Sequence, residues 1–381
     1  MIYSLLLIDM QILRFSSAVP RSVFSTKELV EAFLCQIPEG VKQNILNLGV
    51  THRHLVDYVD PSLESETILS ESEIVDLCLE ASEKALEGTG LSAEDVGYLI
   101  VAYDVNPFLC PGLSQLLVRK LGFSPYIKHV NVQGMACTAF TKALELAKDH
   151  LAVRPKDIVL LCVSGVNSYW FYNQVQGIKD LMEISRINSI RREERRRVEL
   201  RKWIAAMEFF LFGDGVAGVV VANEGNGLFV DKIVEVTNLR KKDYLAGYTR
   251  LAALNEPFKF GFYSHLDKEI PKLGVEYIST ALERLFGENV ENSVKTAKKL
   301  AVHTGSQKIL GLIAKRYKVP PEKLGESFEV LRKYGNLAGA SLPFILEKAV
   351  SENEFSEGDV ILALGYGWGF SASACSLEFK S

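Results

Sequence analysis

Cys137, in the stretch NVQGMACTAF at 131–140, is the residue whose type and position most clearly suggest a catalytic role. It follows a strand-like run and stands where a helix-like run begins. A thiol at a helix start lies near the positive end of the helix dipole, which favours the thiolate and lowers the pKa from about 8.5. We therefore predict that Cys137 is a nucleophile. The alternative is a small buried core residue, which is the commonest fate of a free cysteine.

Two further polar residues, His303 and Asn336, also stand at the end of a strand-like run or at the start of a helix-like run. His303 ends an apolar run and precedes Thr-Gly-Ser, at the strand edge where α/β proteins place their ligands. Asn336 lies in KYGNLAGAS, just before a helix-like run. Each has a structural alternative: a histidine with a satisfied hydrogen bond, and an asparagine that caps a helix. We predict that both lie in one cleft with Cys137.

The elements that must position these residues alternate between helix-like and strand-like patterns, which predicts an α/β fold. Helices are predicted at 26–37, 71–87, 113–121, 135–151, 306–317 and 337–349. Strands are predicted at 96–103, 128–132, 157–163, 300–303, 328–331, 359–364 and 369–377, with two short strand pieces around the Gly-Asp-Gly of 209–222. The apolar N-terminal stretch MIYSLLLIDMQIL also reads as a strand.

The two halves of the chain align without a gap at an offset of 202 residues. Matching residues include Ala136 with Ala338, Leu144 with Leu346, Glu145 with Glu347, Asp157 with Asp359 and Gly165 with Gly367. The same helix–loop–strand order at one offset predicts an internal duplication. We divide the chain into 1–222, carrying the nucleophile and a charged insertion at about 176–205, and 223–381, carrying His303 and Asn336.

Composition limits the class of protein. The 381 residues are 48% hydrophobic and 24% charged with a net charge of −4, which excludes a disordered chain and gives no overall nucleic-acid footprint. None of the six cysteines forms a CxxC pair, which argues against a zinc site and a secreted disulfide framework. No apolar run reaches the roughly 18 residues that a membrane helix needs. We expect a reduced, cytoplasmic protein.

Several stretches together resemble the condensing enzymes of the thiolase superfamily, most closely 3-oxoacyl-acyl-carrier-protein synthase III and the type III polyketide synthases. In the family's order they are VPRSVFSTKEL (19–29), LGVTHRHLV (48–56), PGLSQLLVRKLG (111–122), GMACTAF (134–140), FLFGDGVAGVVVA (210–222), HTGS (303–306), YGNLAGASLPFIL (334–346) and LGYGWGF (364–370). They cover most of the chain, and their combination is more specific than any one of them.

The resemblance implies a five-layered αβαβα fold, a homodimer and decarboxylative condensation of an acyl thioester with a malonyl-type thioester. It implies Cys137 as the acyl acceptor, with His303 and Asn336 as partners in decarboxylation. Gly305 and Gly367 are carried over as substrate-binding positions, and Arg53 as either a contact of a CoA phosphate or a surface charge. CoA or acyl-carrier-protein thioesters are the expected substrates, with no metal or other cofactor.

The sequence departs from the family in ways that keep alternatives open. Trp368 replaces part of the polyketide synthases' final loop, and the Trp and Arg that hold the CoA adenine in synthase III are missing before residue 48. Asp104 aligns loosely with an acidic base of hydroxymethylglutaryl-CoA synthases. A non-decarboxylating condensation, simple acyl transfer and an inactive scaffold subunit are therefore the alternatives.

A densely charged segment, 179–202, has no clear counterpart in the family. Between Arg191 and Lys202 basic residues outnumber acidic ones. One interpretation is an exposed helix held by i,i+4 ion pairs, and the other is a docking surface for an acidic acyl carrier protein.

Overall fold

The computed structural model describes residues 9–33, 36–56, 71–106, 108, 110–176, 178–251 and 262–380. The first half of the chain contains β1 (Gln11–Ala18), β2 (Val23–Ser25), α1 (Thr26–Ala32), α2 (Glu39–Leu46), β3 (His52–His54), α3 (Glu71–Glu87), β4 (Val96–Ala102), α4 (Leu113–Lys120), β5 (Lys128–Val132), α5 (Ala139–Val153), β6 (Ile158–Ser164), α6 (Ser168–Val175), α7 (Ile184–Ser189), α8 (Glu193–Leu211) and β7 (Val216–Ala222).

The second half repeats the alternation of strands and helices. It contains β8 (Gly227–Thr237), β9 (Gly247–Leu251), β10 (Phe262–Leu266), α9 (Ile270–Phe286), α10 (Val290–Thr296), β11 (Lys299–Val302), α11 (Gln307–Tyr317), α12 (Gly325–Tyr334), α13 (Ser341–Glu352), β12 (Val360–Gly367) and β13 (Ser371–Lys380). Among the helices of the described residues, none is long and apolar enough to cross a membrane.

One mixed sheet connects both halves, in the strand order β11-β12-β13-β8-β1-β7-β6-β4-β5. The pairs β4–β5, β4–β6 and β11–β12 are parallel, and the remaining neighbours are antiparallel. Strands β1 and β8 pair only at Gln11–Phe229 and Ile12–Leu228, so the two half-sheets meet at a narrow seam. Strands β4, β6 and β7 are apolar and almost wholly buried because helices cover both of their faces.

Three hydrophobic clusters fill the spaces between the layers. The middle cluster contains α5 and α13, with residues such as Phe140 and Leu346, packed between the two half-sheets. A second cluster places α3 and α4 on the outer face of the first half-sheet, and a third places α9 and α11 on the outer face of the second. The layers therefore follow the order helix, sheet, helix, sheet, helix, which confirms the predicted five-layered αβαβα fold.

Residues that are 202 positions apart in the sequence occupy equivalent places in the two halves of the structure. The short 3-10 turn Ala136–Thr138 matches Ala338–Ala340, and the first residue of α5, Ala139, matches the first residue of α13, Ser341. Strands β4 and β6 correspond in the same way to β11 and β12. Ala136 and Ala338 even share a positive φ of 46°. The chosen boundary at residue 222 stays a prediction.

Some of the predicted elements are wrong. The strand predicted at 328–331 lies inside α12, where Val330 and Leu331 form part of a buried helical face with Ser327. Only one strand, β7, follows the Gly-Asp-Gly turn, because the apolar residues 209–211 are the buried end of α8. Helix α1 ends at Ala32, before the predicted residue 37. Residues 1–8 and Cys35 lie outside the described residues.

The charged segment forms α7 and the first half of α8. Arg191 to Arg197 are all exposed, whereas α8 is buried from Ile204 to Phe210. Lys202 bonds Asp180 and Glu199. Helix α8 is thus anchored by its apolar second half and presents a basic first half to solvent.

Because the halves pack closely, alanine substitutions at two glycines should change the stability of the protein in opposite directions. A Cβ at Gly165 would lie 2.1 Å from the carbonyl oxygen of Leu337, whereas one at Gly311, on the exposed side of α11, meets nothing within 4 Å. Gly165→Ala should lower the free energy of unfolding by about 1–3 kcal/mol because backbone must move. The control Gly311→Ala should raise it by up to about 1 kcal/mol. Urea unfolding followed by circular dichroism measures both, and an unchanged midpoint for Gly165→Ala would contradict this packing.

Candidate active site

Cys137 lies on a tight turn between β5 and α5. Gly134 and Ala136 both have positive φ, of 78° and 46°, and the 3-10 turn Ala136–Thr138 continues directly into α5. Positive φ is strained for alanine, at roughly 1–2 kcal/mol, so the surrounding packing must hold this turn in place. The Cys137 side chain is only 9% exposed. The turn therefore presents the thiol at the start of a helix, as predicted.

The predicted fall in the pKa of this thiol is wrong. Burial, and secondly the negative charge of Asp104, raise the pKa of Cys137 well above its usual range. Desolvation of the thiolate outweighs the helix dipole, because the charge would form in a low-dielectric interior. Cys137 is therefore a neutral thiol in the free protein, and its activation requires a proton acceptor.

Asp104 is the acidic residue next to Cys137. It follows β4, accepts hydrogen bonds from the backbone N–H groups of Gly134 and Ala136, and lines the same cavity as the thiol. Burial raises the pKa of Asp104 to about 6, against the lowering effect of these two donors. The structure thus places in the site a carboxylate that the sequence indicated only through a loose alignment.

His303 follows β11 and is 1% exposed. Its backbone N–H donates to the carbonyl of Leu364 on β12, at 2.9 Å, and its buried Nδ1 has no hydrogen-bond partner among the described residues. Burial lowers the pKa of His303 to about 3, so the imidazole is neutral at neutral pH. The Tyr366 ring packs edge-on against it, with the ring centroids 5.3 Å apart. A neutral imidazole can accept a proton at one nitrogen and donate from the other.

Asn336 connects α12 to α13. Its backbone N–H donates to Leu211, and its Oδ1 accepts the N–H of Ala338 at 2.8 Å. This local bond resembles the helix cap that the sequence allowed as an alternative. It also fixes the side-chain amide, because Oδ1 is occupied and Nδ2 is the group left to donate.

Strand β12 and the turn after Asn336 bring the three residues to one place. A Cβ at Gly367 would lie 3.1 Å from the Cys137 nitrogen, and Tyr366, the preceding residue, packs on His303. Ala338, which holds the Asn336 amide, lines the cavity that contains Cys137. Cys137 itself lines the cavity, and the second half contributes Tyr366 and Ala338, the neighbours of His303 and Asn336, to the same junction between the halves.

The cavity over Cys137 has a volume of about 210 Å³ and largely aromatic walls. Its aromatic lining residues are Trp170, Phe171, Phe212, Tyr248 and Trp368. Trp368, and Phe212 as part of the motif at 210–222, figured in the sequence analysis. The run SYWFY at 168–172, shortly after the predicted strand 157–163, was an available signal for Trp170 and Phe171.

Asp214, in the Gly-Asp-Gly turn, holds one side of this cavity. Its carboxylate accepts the backbone N–H groups of Val56, Asn167 and Ser168, and also the Ser168 hydroxyl. Burial raises its pKa, against these four donors. Sequence reasoning treated this segment only as a turn, but it anchors the start of α6, from which Asn167, Trp170 and Phe171 line the cavity.

The substrate-binding predictions have mixed support. Arg53 is fully buried, donates to the carbonyl of Phe209 and to the Thr26 hydroxyl, and has its pKa lowered to about 9 by burial. This interior position argues against both a CoA phosphate contact and a surface charge. Gly305 leaves the space that the Tyr366 hydroxyl occupies, since a Cβ there would lie 1.8 Å from it. Gly367 lies against Cys137, as described above.

Comparisons with known proteins give relatives for both halves. A family model described as FAE1/type III polyketide synthase-like protein matches residues 56–176, and one for the C-terminal part of 3-oxoacyl-[acyl-carrier-protein (ACP)] synthase III matches residues 291–379. Beta-ketoacyl-[acyl-carrier-protein] synthase III of Oleidesulfovibrio alaskensis is 26% identical, covering 96% of this chain and 98% of its own length. 1,3,6,8-Tetrahydroxynaphthalene synthase of Streptomyces coelicolor is 25% identical, covering 94% and 89%.

Solved structures share the fold over the same length. The crystal structure of 1,3,6,8-tetrahydroxynaphthalene synthase from Streptomyces coelicolor has a TM-score of 0.78 at 22% identity, covering 97% of this chain and 99% of its own. Germicidin synthase from the same organism has a TM-score of 0.79 at 18% identity, with the same coverage. The chain therefore shares the fold of the type III polyketide synthases, and over most of its length its sequence is similar to that of 3-oxoacyl-[acyl-carrier-protein] synthase III and of type III polyketide synthases.

Proposed function

We propose that this protein condenses an acyl thioester, held on Cys137, with a malonyl-type thioester that loses CO₂. One observation carries the proposal: Cys137 lines a cavity where the two halves meet, and the residues beside it, Gly367 and Ala338, adjoin Tyr366, which packs on the neutral His303, and Asn336, whose Oδ1 is held by Ala338. Names of the relatives, which are ketoacyl and polyketide synthases, point in the same direction.

The first half-reaction loads the acyl group. Because the thiol is neutral, it must give up its proton, and His303 is the proposed acceptor, since its imidazole is uncharged and its Nδ1 bonds no group in the part of the chain that the structure describes. The thiolate attacks the thioester carbonyl, the new C–S bond forms, and the carrier thiolate leaves with the proton. Backbone N–H groups of 365–369, which include Gly367 beside Cys137, are the proposed donors to the oxyanion.

The second half-reaction makes the carbon–carbon bond. The malonyl-type thioester loses CO₂, and the electron pair of the broken bond forms an enolate. Neutral N–H donors from His303 and Asn336 stabilise the charge on its thioester oxygen. The enolate carbon attacks the acyl carbonyl and Cys137 leaves as thiolate, which gives a 3-oxoacyl thioester or, after repeated extension, a short polyketide. No net oxidation occurs, and neutral N–H donors take the developing charge, so we propose that the reaction needs neither a redox cofactor nor a resident metal.

Asp104 favours a second candidate, condensation without decarboxylation. Its carboxylate lies beside the thiol, and a pKa near 6 suits a general base at neutral pH. In this route Asp104 removes a proton from the carbon next to the Cys137-bound carbonyl, and the resulting enolate attacks a second thioester. An inactive scaffold would show neither reaction.

Partners and location are further parts of the proposal. Strand β5 ends the order of the sheet, so its outer edge is available for a second copy in a homodimer. The exposed basic start of α8, within Arg191–Lys202, suits an acidic acyl carrier protein. A cytoplasmic location accords with the free thiols of Cys78, Cys110 and Cys137.

One variant should slow decarboxylation of the malonyl-type thioester without slowing acylation of Cys137. Asn336→Ala should leave acylation of Cys137 within about twofold, while CO₂ release from malonyl-CoA falls by about 10²–10³-fold because one oxyanion donor is lost. Intact-mass spectrometry measures acylation, and trapping of labelled CO₂ measures decarboxylation. As a control, Asn353→Ala removes a half-buried asparagine that bonds Glu326 and Ala349 and does not line the Cys137 cavity, so it should change neither. Normal CO₂ release from Asn336→Ala would contradict the proposed role.

Asp104 should hold back ionisation of Cys137. Asp104→Asn removes a negative charge that raises the thiol pKa, so the pKa should fall and the thiolate fraction at pH 8 should rise. Alkylation of Cys137 by iodoacetamide, followed on its peptide by mass spectrometry, should accelerate roughly three- to tenfold. Asp149→Asn, exposed on α5, is the charge-matched control and should leave the rate unchanged.

The same Asp104 variant distinguishes the two condensation routes. If condensation proceeds with CO₂ release in Asp104→Asn, the decarboxylating route is supported. Condensation that occurs without CO₂ release in the wild type and stops in Asp104→Asn would instead establish the second candidate.

A further inference from the structure

Asn167 lines the cavity over Cys137 but has no role in the proposed reaction. It lies between β6 and α6, at the N-cap position of α6, where an asparagine side chain usually accepts a backbone N–H from the first turn of the helix. The Asn167 side chain makes no such capping bond. The usual structural role of an asparagine at a helix start therefore does not account for this residue.

Asp214 caps α6 instead. Its Oδ1 atom accepts the backbone N–H groups of Asn167 and Ser168, at 2.9 and 3.0 Å, and its Oδ2 atom accepts the Ser168 hydroxyl. The start of α6 is thus stabilised by a carboxylate from another part of the chain. These bonds hold the backbone of Asn167 in place beside the cavity and do not use its side-chain amide.

The side-chain amide of Asn167 is buried. The residue is 3% exposed, and its Nδ2 atom makes no hydrogen bond to any residue that the structure describes. A buried amide nitrogen without a hydrogen bond destabilises a fold, so such groups are rare in native proteins and often have a role in function. Because Asn167 borders the cavity, we expect its hydrogen-bond partner to be a ligand in the cavity.

The cavity lies where the acyl group on Cys137 would lie. Cys137 and Asn167 both line it, whereas neither His303 nor Asn336 is among the described residues that do so. The malonyl-type thioester has to reach His303 and Asn336, which leaves this cavity for the acyl group. Its volume of about 210 Å³ has room for roughly eight non-hydrogen atoms, since a cavity of about 150 Å³ holds benzene.

The charge in the cavity limits the kind of acyl group that could bond Asn167. Asp104 lines the same cavity, and because its pKa is raised only to about 6, it is mostly ionised at neutral pH. This charge repels a carboxylate on the acyl group, and the repulsion is strong in a buried site. A keto oxygen carries no charge and no proton, so it can only accept, and the amide of Asn167 keeps two N–H donors in either orientation.

We propose that Asn167 is a specificity-determining residue whose side-chain amide donates a hydrogen bond to an uncharged oxygen of the acyl group held on Cys137. The cavity thereby selects acyl thioesters that carry a keto oxygen beyond the thioester carbonyl over alkanoyl thioesters of equal length. The inference rests on the proposed function only in requiring an acyl group on Cys137.

Pairs of thioesters that differ in one keto oxygen test this selection. Butanoyl-, pentanoyl- and hexanoyl-CoA are each compared with the methyl ketone of equal length, namely 3-oxobutanoyl-, 4-oxopentanoyl- and 5-oxohexanoyl-CoA. Time-resolved intact-mass spectrometry gives kcat/KM for acylation of Cys137. The wild type should prefer one ketone over its alkanoyl partner about five- to tenfold, which is the effect of one hydrogen bond. The preference should be smaller at the other lengths, because a donor fixed in the wall meets the oxygen at one depth.

Asn167→Leu removes both polar atoms of the amide and keeps the approximate size of the side chain. The ratio of kcat/KM between the preferred ketone and its alkanoyl partner should fall to about one. The urea midpoint of this variant should stay the same or rise, because a buried polar group is removed, whereas the loss of a helix cap would lower it.

Asn223→Leu is the matched control. Asn223 does not line the cavity, and its Nδ2 donates to the carbonyls of Leu151 and Pro155. This variant should lower the urea midpoint, because it leaves two carbonyls without their donor, and it should not change the ratio of kcat/KM values.

The outcomes distinguish this inference from the proposed function. Absence of a ketone preference in the wild type, faster acylation by glutaryl-CoA than by the preferred ketone, or a preference that persists in Asn167→Leu would overturn the inference while acylation of Cys137 stands. If Asn167→Leu fails to fold, Asn167→Ala decides the same question. Wild-type protein that none of these thioesters acylates would overturn the proposed function together with the inference.

Discussion

The structure depends on the contact between two short turns at the centre of the molecule. Ala136–Thr138 and Ala338–Ala340 begin the two middle-layer helices and pack against each other without spare volume. A Cβ on Gly339 would lie 2.9 Å from that of Ala139, and each half contributes a strand-end glycine, Gly165 or Gly367, that faces the other half's turn. Any side chain at these glycines would separate the halves and open the site between them.

This contact also sets the electrostatics of the site. Because the turns meet in the interior, Cys137 and His303 are both desolvated, which raises the thiol pKa and lowers the imidazole pKa. The site therefore holds neutral hydrogen-bond donors in place of a preformed thiolate–imidazolium pair. Such donors suit a reaction in which negative charge develops on a thioester oxygen, since they need little reorganisation as that charge forms. Asp104, bonded to the first turn, adds the nearest negative charge.

Sequence reasoning predicted the parts of the fold that repeat and the residues carried by continuous motifs. The alternation of elements predicted an α/β fold and the 202-residue offset predicted the duplication, whereas the five-layered arrangement was an expectation from the family that the motifs around Cys137, His303 and Asn336 resemble. Arg53 was misjudged because its partners, Thr26 and Phe209, lie far from it in the chain. The strand predicted at 328–331 is wrong because the second half has a helix where the first half has β5. A run of four mostly apolar residues does not distinguish a strand from a helix.

The polar contacts around the site were also hard to predict from the sequence, because they join residues that lie far apart in the chain. The importance of Asp104 arises from N–H groups some thirty residues away, and that of Asp214 from two distant segments, at Val56 and at Asn167–Ser168. Asn167 stands directly before a helix, where an asparagine is usually a cap, so nothing in its local sequence reveals that Asp214 takes that role. Contacts of this kind are set by the tertiary fold, and only a structure reveals them.

The central claim is that Cys137 carries the acyl group in a cavity built by both halves. The most direct measurement is intact-mass spectrometry of the protein mixed with an acyl-CoA, followed by peptide mapping. The account predicts one added acyl mass per chain, located on Cys137 and absent from Cys137→Ala, with the exposed Cys110 unlabelled. A label on Cys110 or another cysteine, or an acyl adduct that persists in Cys137→Ala, would contradict it.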